Sequence, residues 1–287
     1  MTRAAPGRLV YLGTPEMAVP PLQALVVAGF DVALVVTGDD KRRGRGSQLT
    51  PSAVKAAAVE LGVPVTHTVD DVLGVGADVG VVVAFGQLIK PHVLDALPMV
   101  NLHFSLLPRW RGAAPVERAL LAGDSETGVC LMQLEAGLDT GPVYRRAVVP
   151  IGASTTANEL RRKLVEAGTR LLIEELRAGL GVPQPQTGEP THAAKIRAEE
   201  LEIDWTRSPT EVDRLVRVGG AWTTLHGKRL KIVAAELIDS AVPVSDRLVG
   251  DRIAGLRLVT VQPEGKAPMS FDAFARGARL REEERLG

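Results

Sequence analysis

The sequence predicts an α/β fold: a Rossmann-like, mainly parallel sheet with helices on both faces, followed by a smaller, β-rich C-terminal domain resembling an OB-like barrel, complete or incomplete. Three observations predict it. Short β-rich runs alternate with helical segments through the first 150 residues, the signature of βαβ units. A long amphipathic pattern at residues 156–177 closes that series. Beyond a Pro- and Gly-rich stretch, the pattern changes to several short strands after a single helix.

Taken in order, residues 9–12 read as a first strand running into Gly13-Thr14-Pro15-Glu16, where Thr14 can cap and Pro15 can open a helix. Residues 31–37 are a second strand, 51–61 a helix and 63–66 a short strand. Residues 79–85 form an uninterrupted apolar strand, as a sheet covered on both faces requires. Residues 100–105 and 127–134 are further strands, with a helix at 114–122 between them. Thr156 and Glu159 make a capping box, after which Leu160, Leu164, Leu171 and Leu176 recur at helical spacing. Residues 181–191 are rich in Pro, Gly, Gln and Thr and read as connecting chain. Residues 212–218 are helical. Residues 229–234, 247–253 and 256–262 read as strands.

Composition narrows the function. The chain has 287 residues, 45% of them apolar and only 3% aromatic, so a sizeable core must be aliphatic. Lys+Arg and Asp+Glu balance at 34 each, so any attraction for a polyanion must come from a local patch. The single cysteine, Cys130, precludes an internal disulfide and fits a reducing, cytoplasmic setting. Residues 1–7 lack the apolar segment of a secretory signal, and no run of 18 apolar residues occurs, so no membrane partner is expected. The five histidines show no zinc spacing, and the sequence lacks a Walker A motif, a nucleophile elbow and a dinucleotide fingerprint. No metal is expected. Kinase, serine hydrolase, metalloenzyme and dehydrogenase readings are disfavoured.

One strand breaks the apolar rule. In Val100-Asn101-Leu102-His103-Phe104-Ser105, alternation puts Asn101, His103 and Ser105 on one side. Burying three such groups unpaired would cost roughly 1–3 kcal/mol each, so the expectation is that they line a cleft. The carboxyl ends of strands are where such sheets hold ligands. The plain alternative is a core histidine satisfied by its neighbours. His103 can serve as base or cation near neutral pH, and Asn101 offers an amide N–H to a developing oxyanion. Gly137-Leu138-Asp139-Thr140-Gly141 supplies a carboxylate, Asp139, to orient the imidazole, and its glycines are expected to let the backbone approach a ligand closely. Separately, Lys41-Arg42-Arg43-Gly44-Arg45-Gly46 concentrates four cations in a glycine-containing loop able to grip phosphates.

Together, Asn101-Leu102-His103, Ser105-Leu106-Leu107-Pro108, Arg109-Trp110-Arg111-Gly112-Ala113-Ala114-Pro115 and Gly137-Leu138-Asp139-Thr140-Gly141 resemble the folate-dependent formyltransferases. Gly13-Thr14-Pro15, the basic loop, Ile203-Asp204-Trp205 and Gln262-Pro263 with Gly265-Lys266 are similar to the branch that acts on initiator methionyl-tRNA. The resemblance covers nearly the whole chain. It implies 10-formyltetrahydrofolate as co-substrate, the α-amino group of methionyl initiator tRNA as acceptor, Asn101, His103 and Asp139 as the catalytic trio, and a monomer. It places the folate along Ser105, Leu106, Leu107 and Pro108, with Phe85 and Gly86 flanking the pteridine. It sets Lys41, Arg42, Arg43 and Arg45 against the tRNA. The domains expected are a catalytic domain at 1–180, a linker at 181–203 and a tRNA-contacting domain at 204–287. Two rival readings share these motifs: a formyltransferase for a sugar nucleotide or purine precursor, and a non-catalytic folate- or RNA-binding homologue. The sequence departs from the resembled branch at residues 218–222 and 236–254, which look shortened.

Overall fold

A computed structural model of the chain describes residues 5–42, 49–238, 246–281 and 283–287. They form two compact units. One comprises Met1–Pro115, Glu126–Pro150 and Arg161–Ala193, the other Val116–Ser125, Ile151–Leu160 and Ala194–Gly287.

The first unit is organised by a seven-stranded sheet built from β1 (Arg8–Gly13), β2 (Asp31–Val36), β3 (Val65–Thr66), β4 (Val79–Val83), β5 (Met99–His103), β6 (Glu126–Gln133) and β7 (Val143–Pro150), in the order β7-β6-β5-β4-β1-β2-β3. From β5 to β3 the strands run parallel, while β6 and β7 are antiparallel to their neighbours. The strands expected from the sequence are present, and the sheet is mainly parallel as anticipated. β7 was not foreseen. Its exposed Arg145 and Arg146 interrupt the apolar signal, and such charges suit a strand at the sheet edge.

Helices α1 (Val19–Val27), α2 (Ala53–Glu60), α3 (Pro91–Ala96) and most of α5 (Ala157–Ala178) accompany these strands, whereas α4 (Pro115–Ala122) falls in the second unit. Side-chain alternation sorts the sheet into two apolar faces. Val10, Leu12, Val36, Val82 and Met99 pack with Val72 and with Val93 of α3. On the other face α5 crosses so closely that a Cβ on Gly168 would lie 3.0 Å from Val129 and 3.6 Å from Leu102. α2 starts at a Ser52 cap, whose hydroxyl accepts from Lys55 N–H and bonds Thr37 at 2.7 Å. Thr14 does not cap the turn that follows β1. Its hydroxyl donates to Phe85 O (3.1 Å) and accepts from Gly38 N–H (3.2 Å), tying together the ends of β1, β2 and β4.

The second unit is the antiparallel, β-rich part. After α6 (Pro209–Val218), capped reciprocally by Ser208 and Glu211, come β8 (Trp222–Leu225), β9 (Lys228–Leu237), β10 (Arg247–Val249), β11 (Arg252–Ile253), β12 (Leu256–Pro263), β13 (Met269–Ser270), α7 (Phe271–Ala278) and β14 (Glu283–Arg285). The path is β8-β9-β12-β11-β10-β14, with β13 on β12. Its two ends meet: Gly287 N–H donates to Thr224 O (3.1 Å), and His226 Nε2 lies 3.0 Å from Glu284. The expected barrel is therefore joined at its edges rather than left open there. Trp205, Val212, Val216, Ile232, Leu256 and Phe271 fill its core, and Trp205 Nε1–H donates to Thr223 Oγ1. Gly219 and Gly220, both at positive φ, turn the chain from α6 into β8, so the shortened 218–222 segment still makes the connection.

Residues 181–203, expected as a linker, have specific partners. Gln184 exchanges backbone hydrogen bonds with Val143, and His192–Ala193 pair with Arg111–Gly112, all within the first unit. In the second unit Glu200 takes two hydrogen bonds from Arg118 and one from Arg197 N–H.

Candidate active site

β5 stops at His103, two residues short of the strand expected from the sequence. The cause is Ser105. Its hydroxyl donates to Arg109 O at 2.5 Å, which folds the chain into a tight loop and leaves Ser105 fully buried. Ser105 is thus a loop staple and not a cleft-lining group, contrary to the alternation argument.

The loop returns a carbonyl to the strand it left. His103 Nε2 lies 2.9 Å from Trp110 O, and on the other side of the ring Nδ1 lies 3.4 Å from Asp139 Oδ2. Both ring nitrogens therefore face acceptors. His103 and Asp139 are 5% and 9% exposed, so solvent screens their attraction little.

Asp139 sits in the turn between β6 and β7 with a left-handed backbone, φ 51°. Its Oδ2 also accepts from Gly112 N–H at 2.8 Å. Trp110, with φ 63°, is likewise left-handed, and its N–H donates to Thr191 Oγ1. A Cβ on Gly112 would stand 2.9 Å from Ala193 O. Such conformations persist only where their surroundings hold them, and they gather at functional sites. The glycines beside Asp139 serve a different purpose from the one expected. A Cβ on Gly137 would meet Thr140 Oγ1 at 2.3 Å, and one on Gly141 would meet Gln133 O at 2.0 Å. The close approach they permit is to the protein's own turn and strand.

Asn101 is half-buried on the same side of β5 as His103, and its register partner is Met132. No hydrogen bond engages its amide among the described residues, which leaves it open to another partner. The neighbouring apolar cluster is Leu107, Cys130, Met132 and Val143. Burial raises the Cys130 thiol to about 11, which makes it an inert packing element as its apolar context predicts.

Of the six residues expected beside folate, Phe85, Ser105 and Leu107 turn their side chains into the protein. Phe85 packs in the core beneath β4, while Ala84 (φ 47°) and Gly86 (φ 73°) bracket it in left-handed conformations. Leu106 is half-buried against Gly128, and Pro108 follows a cis peptide. Lys41 and Arg42 are exposed and pair with Leu49–Thr50. Arg43 and Arg45 lie outside the described residues.

Sequence reasoning missed Thr14, Gln186 and Thr191. Thr14 had been read as a cap. The other two lay in a stretch whose Pro, Gly and polar composition carries no periodic signal.

A formyl transferase family model matches residues 8–176, and a formyl transferase C-terminal domain model matches residues 195–279. The methionyl-tRNA formyltransferase of Roseobacter denitrificans is 43% identical over 95% of this chain and 96% of its own length. That of Dinoroseobacter shibae is 44% identical over 95% and 98%. Among solved structures, an N-formyltransferase from Helicobacter canadensis, in complex with folinic acid and dTDP-3-aminofucose, shares the fold. Its TM-score is 0.67 at 18% identity, covering 89% of this chain and 98% of that one. HypX from Aquifex aeolicus, in complex with tetrahydrofolic acid, gives 0.64 at 15% identity over 95% of this chain and 47% of its own. With these matches running through both units, the chain belongs to the formyl transferase family, in the branch of the methionyl-tRNA formyltransferases.

Proposed function

We infer that this chain transfers the formyl group of 10-formyltetrahydrofolate to the α-amino group of methionine carried by initiator tRNA, for translation initiation. The observation that carries the reading is the shielded His103–Asp139 pair beside Asn101 at the end of β5. It occurs in a chain that aligns almost from end to end with relatives named for that reaction.

Each residue has a distinct task. Asn101 presents an uncommitted amide N–H to the formyl oxygen as negative charge builds there, a contribution worth roughly 2.7–4 kcal/mol in comparable sites. His103, held between Trp110 O and Asp139, sets its ring beside that oxygen and keeps the Asp139 carboxylate in register with it. Asp139 orients the ring and takes up the proton that the attacking amine loses, and that proton passes to the folate nitrogen as its bond to the formyl carbon breaks. The folate supplies a formyl carbon activated by its attachment to nitrogen. The segments 84–86 and 105–108 would hold it, with the half-buried side chains of Leu106 and Pro108 turned to it and Thr14 bracing Phe85 from behind. Lys41 and Arg42, with Arg43 and Arg45, neutralise phosphates of the tRNA. Residues 1–180 perform the transfer and residues 204–287 contact the tRNA, in a monomer working in the cytoplasm.

The test gives purified protein 10-formyltetrahydrofolate with methionyl initiator tRNA, with free methionine and with an amino-sugar nucleotide. Formyl transfer to the tRNA alone is expected. Transfer to the sugar nucleotide and not to tRNA would overturn the acceptor assignment. Folate binding without transfer to any acceptor would overturn catalysis.

A further inference from the structure

We propose that Gln186 is a positioning residue for Asp139, so that the stretch resembling a linker is a strap built into the active site; the proposal rests on the catalytic reading of Asp139 given above. Every hydrogen-bonding capacity of the Gln186 amide is used. Its Nε2 donates to Asp139 O and to Gly141 O, both at 2.8 Å. Its Oε1 accepts from Arg111 Nε at 3.1 Å and from Arg111 Nη2 at 2.7 Å. The residue after Arg111, Gly112, in turn donates its backbone N–H to Asp139 Oδ2. The bonds close a ring: Gln186 holds the Asp139 backbone, Asp139 holds Gly112, and Arg111 holds Gln186.

The ring matters because Asp139 lies in a turn with no regular ladder to fix it, in a left-handed conformation. Two carbonyls of that turn, on either side of Thr140, bind one amide group. A side chain that bonds both fixes the orientation of the turn, and with it the direction of the carboxylate toward His103. The same strap reaches the other half of the site. Thr191 accepts from Trp110 N–H through Oγ1, donates its own N–H to Pro108 O, and accepts from Arg111 N–H through its carbonyl. Trp110 is the residue whose carbonyl meets His103 Nε2. Both sides of the imidazole are thus set by residues that residues 186–191 hold in place. None of these strap groups touches the reacting atoms. Their effect is on placement, where an error of about 1 Å can cost about 100-fold in rate.

The test uses Gln186→Glu, which keeps an oxygen for Arg111 but offers oxygens where Asp139 O and Gly141 O need N–H donors. Gln186→Met, which removes every polar contact at similar size, is the second variant. Both are assayed for kcat and for KM of folate and tRNA, alone and combined with Asp139→Asn, and their melting midpoints are recorded. The expected result is a fall in kcat of about 10–100-fold with KM changed less than about threefold. In the Asp139→Asn background the further loss should shrink to within about threefold, because the residue acts through that carboxylate. Wild-type-like kcat in both Gln186 variants would overturn the proposal, and so would an undiminished loss in the Asp139→Asn background. A collapse of both melting midpoints would assign Gln186 to the scaffold of the fold instead. If Asp139→Asn alone leaves the rate intact while the Gln186 variants are slow, it is the catalytic reading of Asp139 that fails, and positioning of that group fails with it.

Discussion

His103 Nδ1 and Asp139 Oδ2 stand 3.4 Å apart, with both side chains nearly closed off from solvent and each also bonded to backbone. Trp110 O holds the imidazole and Gly112 N–H holds the carboxylate. Those two anchors lie on one short loop, so a single turn of chain sets the spacing of the pair. Removing either partner leaves an uncompensated polar group in a poorly hydrated site.

Asp139→Asn retains an oxygen for Gly112 N–H and removes the charge. Its kcat is expected to fall by roughly 10²–10⁴-fold with the fold intact. Single-turnover formylation together with a far-UV spectrum checks this. A loss of less than threefold would show that the carboxylate takes no part in proton transfer.

Asn101→Ala removes a half-buried amide that makes no hydrogen bond among the described residues. Stability should change by about 1 kcal/mol or less, while kcat drops by roughly 10²–10³-fold. Urea unfolding beside the rate measurement separates the two effects. A large stability loss with normal turnover would make Asn101 a packing residue.

Arg42 emerges on the short ladder with Leu49–Thr50, exposed to solvent. Arg42→Ala should weaken use of tRNA and reduce the dependence of log KM on log salt by about one contact's share. The affinity for folate should stay the same. Titrations at several salt concentrations provide the measurement, and an unchanged slope would detach this cation from the tRNA.

Arg118 and Arg197 hold the Glu200 carboxyl down at about 2. The folded-state value lies below the ordinary 4.5, so the folded protein binds fewer protons than the unfolded chain between those limits. The stabilisation is therefore present above about pH 4.5 and lost as pH falls toward about 2. Arg118→Ala should lower the melting midpoint near neutrality by roughly 2–4 °C, and the gap to wild type should narrow as the pH falls through that window. Melting curves at stepped pH test it.

Sequence legibility followed periodicity. β4 and β5 were readable because Val79–Val83 is apolar throughout and Met99–His103 is interrupted in a way that strands of this class rarely tolerate. α5 was readable from its capping box, whose Thr156 and Glu159 bond as expected. Ser105 was misassigned to the cleft because alternation holds only while the strand continues, and nothing local signals that its hydroxyl will seek Arg109 O. Gly137 and Gly141 were correctly noticed as places of close approach, but which group approaches is a tertiary fact. β7 was missed for its arginines, and Gln186 because its partners are far away in sequence.

The strap has a consequence for how the protein can be divided. A fragment ending at residue 180 would carry Asn101, His103, Asp139 and every strand of the first sheet. It would nonetheless leave Trp110 N–H, Arg111 and the carbonyls of Asp139 and Gly141 without the bonds described above. A cut at residue 180 is therefore expected to slow the transfer even though it spares the catalytic trio. A nick between Gln186 and Thr191 should likewise lower kcat, by no more than about the 10–100-fold expected of the Gln186 variants.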